Sequence, residues 1–101
     1  MSTYRISTRN LESNSGNAVK NQFEIFGRDL YGNPFRIFQS YNTTIAKIVY
    51  QNCGAEKVFL DCNNWQYSTT TGKYRNIFLN EKKQDTLKKI KSGEYQLINL
   101  N

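Results

Sequence analysis

The chain contains no histidine. That removes the commonest general base and a frequent metal ligand, so no imidazole is there to join a nucleophile to an orienting group. Cysteine is scarce too: Cys53 and Cys62 are the only two. Without histidine, two thiols do not complete a four-ligand zinc site unless carboxylates or a second chain contribute. They could pair across a hairpin. The N-terminus, however, lacks the apolar segment of a secretory signal, and the cytoplasm that this implies favours free thiols. No apolar run approaches the roughly 18 residues needed to span a bilayer. These shortages point to a cytoplasmic, non-catalytic protein with no metal and no cofactor.

Aliphatic side chains are also in short supply. Hydrophobic residues make up 38% of the 101, and aromatics alone supply 14%. A core of Phe and Tyr is therefore expected, since each ring buries a large area. The length suits one domain with a small core.

Tyr4 and Ile6 alternate with polar residues, which leaves a short strand or an ordered arm open. Residues 11–20, however, are rich in Ser, Asn and Gly and poor in apolar groups, so 1–20 reads as a flexible or loosely attached arm before a domain at 21–101. From Gln22 to Arg28 apolar and polar residues alternate, as in a strand. Asp29 to Pro34 (DLYGNP) is a turn: Gly and Asn accept positive φ, and Pro34 cannot donate to a ladder. Further strands are expected at 35–39, 44–50 and 57–62, with 95–100 as a fifth. The period changes at Ser68. Tyr74, Ile77 and Phe78 recur at helical spacing, and Ser68 stands at the N-cap of a helix over 69–79. A second helix over 82–91 ends at Ser92-Gly93. The fold class is α+β: an antiparallel four- to five-stranded meander packed by two short helices. Phe35, Ile37, Ile48, Phe59, Tyr74, Ile77, Phe78 and Leu87 are the expected core.

The net charge is +6, and its placement matters more than its sum. Lys73, Arg75, Lys82, Lys83, Lys88, Lys89 and Lys91 face only Glu81 and Asp85 over the helical segment. Basic residues interleaved with Tyr74, Tyr67 and Trp65 suit an acidic partner or nucleic acid. They equally suit a solvated helix surface in a lysine-rich proteome. The run Ser68 to Lys73 (STTTGK) fails the phosphate-loop pattern, because Tyr67 and Tyr74 occupy positions that require Gly and Ser or Thr. A smaller anion site remains open there, with Ser68, Thr69, Thr70 and Lys73 around free helix amides, although capping alone accounts for these residues. Glu24, Asp29 and Asp61 could serve a carboxylate hydrolase; turn chemistry is the better account of Asp29. Should the basic face prove inert, the DLYGNP loop and the polar surface around Tyr41 and Asn42 are the next places to look.

Residues 26–48, 63–79 and 88–95 resemble a family of short proteins from bacteriophages and prophages of low-GC bacteria. A SYNTxIA-like strand (Ser40 to Ala46) and a YSxTTxKYxxxFL-like helix start (Tyr67 to Leu79) carry the resemblance. It leaves out the first twenty residues and implies no activity, cofactor or catalytic residue. What it implies is context. Small phage proteins often act on the host by binding, including as inhibitors of CRISPR nucleases. The expected function is therefore a phage accessory protein that occupies a host defence protein or ribonucleoprotein through its basic helical face. Direct binding of DNA or RNA is the alternative.

Overall fold

A computed structural model of the chain describes residues 6–51 and 54–101. Eight elements follow in order: β1 Ser7–Glu12, β2 Ala18–Arg28, β3 Pro34–Ser40, β4 Thr43–Tyr50, β5 Glu56–Asp61, α1 Thr69–Leu79, α2 Lys83–Ser92 and β6 Tyr95–Ile98. The six strands form one sheet in sequence order. The first five run antiparallel, and β6 lies parallel to β5. A parallel neighbour needs a long crossover, and the two helices are that crossover. The expected α+β architecture is present, with a mixed six-stranded sheet in place of a four- to five-stranded meander.

Turn chemistry sets the hairpins. Between β2 and β3, Asp29 Oδ1 accepts the amides of Tyr31 and Asn33, both at 2.9 Å. Gly32 supplies the positive φ that the turn needs. Only Tyr41 and Asn42 separate β3 from β4, and Tyr41 itself has φ +54°.

Residues 7–12 and 18–20 correct the expectation of a loose arm: they are strand. Side-chain contacts reinforce the ladder of β1 with β2. Leu11 is buried against the core. Arg9 donates to Glu24 Oε2 from Nε at 3.1 Å and from Nη2 at 2.9 Å. One buried residue in six produces no alternation for a sequence reading to find. Residues 1–5 lie outside the described residues. So does Cys53, and with it the question of its pairing; Cys62 is exposed.

Register assigns each strand residue to a face. Arg36, Phe38, Ser40, Ala46, Ile48, Val58, Leu60 and Tyr95 share one face with Gln22 and Glu24. The helices lie on that side: Phe78 of α1 packs against Phe38 with ring centroids 5.9 Å apart, and Tyr95 bonds to Glu81 beside α2. Ile48, Tyr74 and Phe78 are buried as expected. Phe35, Ile37 and Phe59 are only half-buried, because they alternate onto the opposite face, where neither helix packs. Ile77 is half-buried at the flank of α1, and Leu87 is 38% exposed. On α2 the buried position belongs instead to Thr86, whose hydroxyl donates to Glu81 at 2.6 Å. No helix among the described residues is long and apolar enough to cross a membrane.

Candidate functional site

The start of α1 is built as the sequence indicates. Ser68 is its N-cap, with extended backbone, and its Oγ accepts the Thr71 amide at 3.1 Å. The Ser68 hydroxyl also donates to Thr71 Oγ1 at 3.1 Å. Thr71 is buried and lies 3.4 Å from the Ser40 hydroxyl at the end of β3. A chain of three hydroxyls thus ties the helix cap to the sheet. Ser40 and Thr71 are the buried pair, and each gives the other a partner.

The expected basic face divides in two. Lys73, Lys82, Lys83, Lys88 and Lys91 are exposed, and among the described residues none of the five is ion-paired. Lys89 and Arg75 belong to the fold. Lys89 Nζ meets Glu81 Oε1 at 2.8 Å and lies over the Tyr95 ring. The bond to Glu81 raises its pKa, against a smaller opposing effect of burial. Arg75 is 1% exposed. Its Nη1 donates to the Trp65 carbonyl at 2.6 Å, and its guanidinium lies 5.1 Å from the Trp65 ring centroid. Burial lowers its pKa, partly offset by the charge of Glu81. An arginine read as surface charge is therefore the clamp that holds Trp65 to α1. Thr71, Arg75 and Phe78 recur at i, i+4, i+7, so Arg75 lies on the buried stripe of α1; its charge disguises it, not its spacing.

Two concavities flank the cap. The first is an open groove of about 1170 Å³ between the outer side of α1 and the start of α2. Ser68, Thr69, Lys73, Lys82 and Lys83 line it, together with Glu81 and Asp85. Glu81 is already committed to Lys89, Thr86 and Tyr95, and Asp85 faces the Lys82 amide at 3.4 Å. The second is a cavity of about 440 Å³ lined by Ser40, Tyr41, Thr43, Ile45, Tyr67, Ser68, Thr70 and Thr71. Every lining residue but Ile45 carries a hydroxyl, and none carries a charge.

The four residues expected around one anion are thereby split. Ser68 lines both spaces, Thr69 and Lys73 only the groove, and Thr70 only the cavity. Tyr41, Thr43 and Thr71 complete a site that spacing along the chain does not reveal. The two stretches that carry the resemblance, 40–46 and 67–79, meet at this cavity. Tyr41 and Tyr67 are 59% and 71% exposed and so stand at its rim. The Tyr41 amide donates to Asn21 O at 2.7 Å and its carbonyl accepts from Gln39 Nε2 at 2.8 Å. These bonds hold the residue in the left-handed region, where a bulky side chain is uncommon.

Among the described residues no group of three histidine, cysteine or carboxylate side chains is placed to share a metal ion. No curated protein and no solved structure matches the chain. The model of a family of unknown function, DUF8033, matches residues 6–95, and the chain belongs to that family.

Proposed function

We propose that the protein is a non-catalytic accessory protein of phage origin. It acts in the host cytoplasm by laying its basic helical face on an acidic partner, a host defence protein or ribonucleoprotein. One observation carries this reading: five exposed lysines on the helical layer have no ion-pair partner among the described residues, and three of them line one groove. Complementary charge of this kind speeds encounter and selects partners more than it adds affinity. Capture from host lysate by the tagged protein, with and without nuclease, tests it. A partner retained after nuclease and lost on Lys73→Glu, Lys83→Glu and Lys88→Glu together is the expected result. Equal capture by the triple variant would make the face mere solvated surface.

Direct nucleic-acid binding is a second reading. The uncharged, tyrosine-rimmed cavity beside the lysine groove favours it, since aromatic platforms next to cationic channels are how single strands are held.

A further inference from the structure

We infer that the cavity at the start of α1 receives one unstacked nucleobase of a single-stranded nucleic acid whose phosphates follow the adjoining groove. This rests on reading the basic face as a surface for a polyanion, and it names the part of the ligand that the lysines do not explain. The volume of about 440 Å³ lies within the range of small-molecule pockets. The lining offers hydroxyls and no charged side chain, which suits a neutral ring with polar edges, while the lysines that suit phosphates line the adjoining groove. Tyr41 and Tyr67 offer largely exposed rings at the rim, and base–aromatic stacking needs a ring face open to solvent before binding. Thr43 and Thr70 add hydroxyls to the lining. A hydroxyl both donates and accepts, so it can meet the polar edge of a base of either pattern.

Position supplies the rest. Ser68 lines both spaces, so the neutral cavity opens beside the groove that holds Lys73, Lys82 and Lys83. A single strand presents that chemistry in turn, a flat uncharged ring beside an anionic linkage. A duplex does not, because its bases are stacked and paired. The conformation of Tyr41 points the same way. A tyrosine at φ +54° is held against its own preference, and strain of this kind gathers where side chains serve ligands.

The test uses two oligonucleotides of equal length and charge, an oligothymidylate and its abasic counterpart. Binding is read by fluorescence anisotropy at low and moderate salt. Tyr41→Asn, which tolerates the left-handed backbone, Tyr67→Ala and the double variant are compared with wild type, each with a melting curve to confirm folding. Wild type should bind oligothymidylate roughly five- to hundredfold more tightly than the abasic strand, the span expected for stacking one base. The double variant should lose that difference while keeping a salt-dependent remainder. Equal affinity of wild type for the two strands would overturn the inference and leave the basic face standing as a polyanion surface. A difference that survives in the double variant would also overturn it, by placing base recognition elsewhere. No binding of either strand at low salt would overturn it as well, and would direct the lysines to a protein partner.

Discussion

Glu24 is 4% exposed on the helix-facing side of the sheet, gripped by Arg36 Nε at 2.6 Å and by Arg9 Nη2 at 2.9 Å. Burial works to raise its pKa, but the bonds and charge of Arg36 and Arg9 outweigh that and hold it below 4.5. Glu81 and Asp61 are depressed in the same way: burial opposes, and Lys89 with Thr86 and Tyr95, or the Leu100 amide with Asn64, prevail. A carboxylate whose folded pKa is lowered adds stability that is complete above its unfolded value and lost as pH falls through the folded one. Stability should therefore decline as pH falls below 4.5, the unfolded value of the two glutamates. Glu24→Gln should make that decline shallower in acid titrations of the melting temperature. On the alkaline side the proton is held more tightly in the fold. Burial and Glu81 push Tyr95 up to about 12, and stability should fall as pH rises above 10, its unfolded value. A different residue-scale prediction concerns Tyr41. Glycine relieves a left-handed position that costs other residues roughly 1–2 kcal/mol, and the Tyr41 side chain is mostly exposed. Tyr41→Gly should raise unfolding stability by about 1 kcal/mol in chemical denaturation, while base-dependent oligonucleotide binding falls.

Elements were legible where periodicity and capping agreed. The helix expected over 69–79 is α1 residue for residue, because Ser68 caps it and Tyr74 and Phe78 mark its buried stripe. Gly93 ends α2 in the left-handed region, as the Ser-Gly pair suggests. The second helix begins at Lys83, within a residue of expectation. What stayed hidden was relational. Phe35, Ile37 and Phe59 alternate as core residues would, and only the placement of both helices on one face shows that theirs is the open side. The basic face was read from composition, and five of its seven residues are exposed; Arg75 and Lys89 are not free because partners ten and eight residues earlier in the chain claim them. The cavity was half-visible, through Ser68 and Thr70, since its other wall comes from the β3–β4 hairpin. Two substitutions probe α1 itself. Phe78 is 3% exposed between Phe38 and the Arg36 guanidinium, so Phe78→Ala should cost about 3–5 kcal/mol in denaturant unfolding. At Gly72 an added Cβ would lie 3.7 Å from Arg75 Nη2, an ordinary contact. Gly72→Ala should therefore stabilise the protein by about 0.5–1 kcal/mol.

At the scale of the molecule, charge and stability are carried by different side chains. The ion pairs among the described residues use Arg9, Arg36 and Lys89, two on the sheet and one between α2 and Glu81. Lys73, Lys83 and Lys88 take part in none of them. Of the three, Lys73 has a cation–π partner among the described residues, the Tyr74 ring at 5.5 Å, and an exposed cation–π pair is worth about 0.5–1 kcal/mol. Reversing these three to Glu changes the formal charge by six units, from +6 to zero, and should move the melting temperature little, because exposed unpaired charges contribute little to folding. Reversal of Lys89 is a different experiment. It would put a carboxylate against Glu81 and unfold the α2–β6 contact, so lost binding in that variant would say nothing about the surface. The triple reversal should cut affinity for an anionic partner steeply and flatten its salt dependence, since each lysine that neutralises a phosphate releases about one counterion. Measuring melting temperature and the slope of log affinity against log salt on the same samples separates the two roles. A slope unchanged in a folded triple variant would mean that these lysines touch no phosphate.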